Sequence, residues 1–515
     1  MSIDRVRLLA LGLTAVALAL PARAEAPLSA IDWLSQSIVT PAALPQMAEP
    51  AVSPEGAALP ETVTTSVLGQ ASLDAVGILP SQITGLPRNL WGLGRAADIA
   101  ALLATEAPHD LPALQGLLLT ILLAESEPPA DVAPGENLLL ARVDKLLSIG
   151  ALDQARALLD AAGPTASPEL FRRYFDVALL IGDEGRACHY LRDAPGLAPA
   201  LPTRIFCLAR DGDFDAADLT LDTARSLGTV TPEDAALLER FMNPELDEAD
   251  IRLVQPDPLT PLTLRLFEAI GEPMVAAALP VAFAYADLSD NAGWKAQIEA
   301  AERLSRAGAI APNLLLGLYT NQKPAASGGV WDRVAAFQRL DAAVAAGDVR
   351  ATEQALPVAW VEMKAAELEV PLAALFAEKL SRMALGAEAA EIVFQISLLS
   401  SDYESLSAAR AATSPRDQFL AALAKGDLTG AAPTDPMSTA ISTAFTAPAM
   451  GDDFSQMLDQ NRIGEVILLA MSRIEHGVTG DLRGVTEGLS VLRHIGLEDA
   501  ARRAALELLL LDRRG

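Results

Sequence analysis

The side chains able to do chemistry are few in this 515-residue chain, and they are scattered. Cys188 and Cys207 are the only cysteines, and they lack the tight Cys-x-x-Cys spacing of a redox pair. They read instead as a structural disulfide formed in an oxidising compartment, closing a loop whose constraint stabilises by about 3 kcal/mol. His109, His189, His476 and His494 include no His-Glu-x-x-His pair, and none has a second histidine at helical spacing, so no metal site is expected. The nucleophile elbow Gly-x-Ser-x-Gly, the phosphate-binding P-loop and the Ser-x-x-Lys motif are all absent.

Gly92-Leu93-Gly94-Arg95-Ala96-Ala97 matches the Gly-x-Gly-x-x-Ala of dinucleotide sites, but Pro87-Arg88-Asn89 precedes it where a buried strand is required. It reads as a helix start. Adjacent carboxylates such as Asp452 with Asp453, or Glu498 with Asp499, read as solvated first turns of helices rather than catalytic dyads. No catalytic, cofactor-binding or metal-binding residue is assigned, and the chain is expected not to be an enzyme.

One stretch reads as a candidate for recognition. Residues 320–329, TNQKPAASGG, form a loop longer than most helix connections, with Tyr319, Lys323, Trp331 and Asp332 in it or at its edges. These four residues are the candidate partner-binding set. The alternative is a plain linker whose flanking aromatics anchor the helix ends.

The elements that must position such residues are helices. Hydrophobic residues make up 51% of the chain and aromatics only 4%, which favours close-packed helices over β-branched, aromatic strands. The fold class is therefore all-α. A formal net charge of -28 repels phosphate backbones and anionic headgroups, so nucleic acid is excluded as a partner.

A spacing returns three times. After Gly150 come Leu152, Ala155, Leu159 and Ala162; after Gly182, Glu184, Ala187, Leu191 and Ala194; after Gly212, Phe214, Ala217, Leu221 and Ala224. Each glycine closes a helix in the left-handed conformation, and the chain reverses into a second helix whose listed residues share one face. A repeat of 30 to 32 residues predicts stacked antiparallel hairpins, an α-solenoid. Gly347 and Gly496 start the same spacing less faithfully, as an alanine- and leucine-rich chain does by chance, so the regular repeat is expected only in the first part.

In chain order, residues 1–24 read as a secretory signal. Arg5 and Arg7 precede the apolar run Leu8–Leu20, and Ala22-Arg23-Ala24 sets cleavage between Ala24 and Glu25. Residues 25–89 are rich in proline and read as an extended or partly disordered arm, with short apolar segments that lie on the body. A helical repeat body follows over 90–319, then the loop 320–329, then a C-terminal helical body over 330–515. No later apolar run is long enough to span a membrane. The expected location is the bacterial periplasm or the exterior.

The spacing from Gly150 to Ala162, with its echoes from Gly182 and Gly212, resembles the second half of a tetratricopeptide repeat. The resemblance covers about residues 138–228. It implies a groove that holds a peptide or partner protein. The chain as a whole is similar to secreted alanine-rich alphaproteobacterial proteins that sometimes carry an antifreeze-glycopeptide-like label. That label requires repeated Ala-Ala-Thr, which occurs here only once, at Ala411-Ala412-Thr413, so ice binding is not expected. The expected function is a non-enzymatic scaffold or regulator binding an envelope protein. The alternatives are a peptidoglycan enzyme or its activator, and a purely structural envelope protein.

Overall fold

A computed structural model describes residues 72–106, 110–131, 137–243, 253, 259–272, 274, 278–408, 412–511 and 513. The signal sequence, its cleavage point, most of the arm, His109 and most of the proline-rich joint before Pro261 lie outside the described residues.

The described chain is all-α. The α-helices of eight or more residues are α1 (Ala96–Thr105), α2 (Pro112–Leu123), α3 (Asn137–Ser148), α4 (Leu152–Ala162), α5 (Pro168–Ile181), α6 (Glu184–Asp193), α7 (Leu201–Arg210) and α8 (Phe214–Leu227). Then come α9 (Pro232–Met242), α10 (Pro261–Ala269), α11 (Trp294–Arg306), α12 (Pro312–Asn321), α13 (Val330–Ala345), α14 (Val349–Ala365), α15 (Glu369–Ser381) and α16 (Ala387–Leu398). The last are α17 (Pro415–Lys425), α18 (Pro436–Thr446), α19 (Asp452–Asp459), α20 (Ile463–Glu475), α21 (Leu482–His494) and α22 (Glu498–Leu510). No helix among the described residues is long and apolar enough to cross a membrane.

The glycine turns form as the spacing requires. Gly150, Gly182 and Gly212 have φ of 77°, 80° and 84°, and α4, α6 and α8 each begin two residues later. Leu152, Ala155, Leu159 and Ala162 are buried, as are Ala187, Leu191, Ala217, Leu221 and Ala224. Glu184 and Ala194 are half-buried, and Phe214 stays exposed. From α3 to α9 every helix packs on the next in sequence, and α3 also meets α5 while α7 meets α9. The same device recurs where the sequence argued least for it. Gly347 (φ 65°) and Gly496 (φ 88°) are followed two residues on by α14 and α22, which pack on α13 and α21.

Cys188 on α6 and Cys207 on α7 are disulfide-bonded, with their Cα atoms 5.2 Å apart, so the bond joins two successive helices.

The start of the described chain is tied to the body rather than extended from it. Arg142 of α3 is buried and donates from Nε to the Leu122 carbonyl (2.7 Å), from Nη1 to Val76 (2.7 Å) and from Nη2 to Ala124 (3.0 Å). Asp74, also buried, accepts from the Leu139 N–H at 2.8 Å. Ile78 and Leu79 donate to the Leu123 carbonyl, and Leu79 accepts from the Glu125 N–H. Gly77 permits this approach, because a Cβ there would sit 2.3 Å from the Glu125 nitrogen.

The two ends of the described chain meet. α20 packs on α1 and α2, and α22 packs on α2. Gly92 and Gly94 serve this meeting and not a phosphate: Leu93 donates to the Gln460 carbonyl (3.0 Å), and a Cβ on Gly92 would lie 2.3 Å from the Asn461 oxygen. The buried Trp91 ring fills the space beside Gly464, whose N–H donates to the Leu90 carbonyl. Glu507 of α22 is buried and accepts the Ala113 N–H at the start of α2 (2.8 Å), while Glu475 of α20 accepts from Asp110 (2.9 Å). Glu507 thus meets an N–H at the helix start that has no partner within the helix, where negative charge is favoured.

Burial nevertheless pushes the Glu507 carboxyl up from 4.5 to about 7, against the Ala113 N–H and the charges of Arg503 and Arg513. Between pH 4.5 and 7 the folded chain keeps a proton that the unfolded chain has released. This group's contribution to stability therefore falls as pH rises through that window, by up to about 3 kcal/mol. Glu507→Gln keeps an acceptor for Ala113 and removes the titration. Urea denaturation is expected to show the variant matching wild type at pH 5 and exceeding it by about 1–3 kcal/mol at pH 8. Equal midpoints at both pH values would count against a buried, protonated Glu507.

Candidate functional site

The loop 322–329 between α12 and α13 presents less than the sequence suggested. Lys323 and Asp332 are exposed, but Tyr319 is fully buried. Its hydroxyl donates to Glu302 Oε1 at 2.6 Å, and its ring meets Phe337 edge-on at 4.9 Å. A partner contact through Tyr319 is thereby ruled out: a side chain inside the core has no surface to offer. Trp331 is half-buried against Trp294, 5.1 Å between ring centres, and Trp294 Nε1 donates to the Leu318 carbonyl.

The loop also does not part the body. Arg333 of α13 forms a two-pronged ion pair with Glu302 of α11 (2.8 and 2.6 Å), and α12 packs on both α13 and α15. Burial pushes the Tyr319 hydroxyl well above its usual range, and the Glu302 carboxylate beside it adds to that.

A groove offers a better candidate. It has a volume of about 970 Å³ and lies between α5, the first turn of α7, α9 and α10. Its position follows from local sequence. Pro202, Pro232 and Pro261 each sit in the first turn of a helix, where the missing N–H costs nothing, so three helices start around one space. Thr231 caps α9 by accepting the Asp234 N–H, and Thr260 with Thr263 makes a reciprocal capping box on α10. α7 begins at Ala200 with no side-chain cap. α10 packs on both α5 and α9 and forms one wall.

The groove walls are apolar where prolines and Leu259, Leu262 and Leu266 line them, and acidic at Asp176, Glu233 and Asp234. Arg172 is the one cation in the lining. Arg173, one residue on, is committed to Asp144 through two bonds of 2.6 Å. Asp176 has no hydrogen bond or ion pair among the described residues. Burial pushes its carboxyl up to about 6, only partly offset by Arg172 and Arg173. Chemically, this is a slot whose carboxylates outnumber its one side-chain cation, Arg172, and in which Asp176 is half-buried and makes no ion pair.

None of the groove residues is singled out by sequence reasoning. The available signal was weak: Arg172 and Asp176 are four apart and so share a helix face, but an exposed ion pair has the same spacing. The residues set aside as non-catalytic sit at helix starts. Asp452 and Asp453 open α19, and Glu498 and Asp499 open α22, with Glu498 on Arg493 (2.7 Å) and Asp499 accepting from Tyr403 (2.9 Å). Among the described residues, no group of three His, Cys, Asp or Glu side chains is placed to hold a metal ion. Compared with family models, with curated proteins and with solved structures, the chain matches none.

Proposed function

We propose that this protein is a tetratricopeptide-like α-solenoid of the bacterial periplasm that scaffolds or regulates an envelope assembly by holding a partner protein, and that it performs no chemistry of its own. The observation that carries the reading is the groove on the first-helix side of the successive hairpins, lined by α5, α7 and α9 and walled by α10. A stack of hairpins leaves one helix of each pair facing such a surface, and a concave, partly apolar slot there is a common way for repeat proteins to hold an extended guest. The Cys188–Cys207 bond agrees with an oxidising compartment, and the apolar run Leu8–Leu20 with export.

The test places a photo-crosslinking amino acid at Ala200, an exposed groove residue, in the tagged full-length chain expressed in its own cells. The expected result is one discrete adduct with an envelope protein, with Glu25 as the first residue of the recovered chain. The same crosslinker at Lys323 examines the loop in parallel. An adduct from Lys323 alone would move the binding surface to the loop. No adduct from either position would refute the binding role.

A further inference from the structure

The groove also specifies the chemistry of its guest. We propose that it takes an extended peptide segment whose lysine or arginine side chain is set against Asp176. This rests on the reading of the groove as the partner site and adds to it the identity of the contacting residue.

Three observations lead there. The lining carries three carboxylates, Asp176, Glu233 and Asp234, against the single guanidinium of Arg172, so it attracts a cationic group and repels an anionic one. Asp176 is half-buried in the groove and has no hydrogen bond or ion pair among the described residues, while the neighbouring Arg173 is held by Asp144. A cation delivered by a ligand would supply the missing charge-assisted bond. The remaining wall is proline and leucine: Pro202 and Pro261, with Leu259 and Leu262, accept apolar side chains flanking a basic one. At about 970 Å³ the space exceeds what a bare cation needs, and its acids are not grouped for metal coordination. Nucleic acid and acidic peptides are disfavoured by the same charges and by the overall -28.

The experiment selects random twelve-residue peptides displayed on phage against the full-length protein, counter-selecting with Ala200→Trp, which obstructs the groove. Selected peptides are expected to share a lysine or arginine at one position between apolar residues. In a synthetic peptide from the selection, replacing that residue by norleucine should weaken binding about tenfold. Asp176→Asn should cost the same, and the two changes together no more than either alone. An Asp215→Asn, Asp218→Asn control on α8 removes the same type of charge elsewhere and should leave affinity unchanged.

Selected peptides without a basic residue, or a lysine whose contribution survives Asp176→Asn, would overturn the inference while leaving the groove as a binding site. The norleucine peptide tests the basic contact without altering the protein. Failure of any peptide to prefer the wild-type chain over Ala200→Trp would overturn both the inference and the groove reading.

Discussion

Arg142→Met is expected to lower the stability of the folded chain by about 3–5 kcal/mol, the range for removing one member of a buried charged network. Arg142 is 1% exposed, and its guanidinium bonds the carbonyls of Leu122 and Ala124 at the end of α2 and of Val76 in the segment laid across it. Burial pushes the guanidinium down to about 10, against the field of Asp74, yet that still leaves it charged at neutral pH. A cation at the C-terminus of a helix is well placed, because the last carbonyls of α2 carry partial negative charge and have no partners within the helix. Methionine fills similar space and supplies no donor, leaving several buried oxygens unpaired. Asp74 loses its neighbouring charge as well. Denaturation should show a lowered midpoint. Hydrogen exchange should show accelerated exchange at Ile78, Leu79 and Leu139 in particular, since their N–H bonds to Leu123 and Asp74 depend on the segment staying docked. A variant as stable as wild type, with these amides still protected, would show that Arg142 does not hold the segment in place.

Glu302→Ala is expected to cost a comparable amount, about 3–5 kcal/mol, because it strands a buried donor, Tyr319, and a half-buried one, Arg333, at once. Tyr319 and Arg333 both donate to Glu302, which is 4% exposed. Desolvation alone would lower the Arg333 guanidinium, but the Glu302 carboxylate raises it above its usual range, so its charge would persist unpaired in the variant. Replacing all three members by apolar residues of similar volume, Glu302→Leu, Arg333→Met and Tyr319→Phe, should recover most of the loss, since a buried ion pair is often replaceable by well-packed hydrophobic side chains. Thermal melts of the single and triple variants decide the matter. A triple variant no better than Glu302→Ala would mean that the pairing itself, rather than the stranded charges, supports the junction of α11 with α13.

These two clusters mark where sequence reading reached its limit. The turns at Gly150, Gly182 and Gly212 were legible because each rests on contacts within about fifteen residues: a left-handed glycine, a reversal, and small or apolar side chains on one face. The later turns at Gly347 and Gly496 use the same local code, but they are surrounded by so much alanine and leucine that the pattern loses contrast. The disulfide was legible for the same reason, since Cys188 and Cys207 stand on successive helices only 19 residues apart.

Tyr319 was misjudged by a rule that is sound in itself. Aromatics beside a long loop are often exposed for binding, yet here Tyr319 points into the core because Glu302 and Phe337 are there to receive it. Glu302 is seventeen residues away and on the preceding helix. Arg142 was equally silent, because an arginine on a helix whose neighbours are unknown is most often a solvated one.

What the sequence determined by itself was the material and the local grammar: helices rather than strands, the places where the chain turns back, the faces that must be buried, and a charge that turns away phosphate. Tertiary structure alone decided which face meets which. It brought α20 and α22 onto α1 and α2, and set Asp176, Glu233 and Asp234 around one slot although 57 and 58 residues separate them from Asp176 along the chain. The physical reason is that periodicity encodes the direction of a side chain relative to its own helix axis. How successive helices sit against one another, and so which distant helices meet, is set by the packing of side chains from different helices.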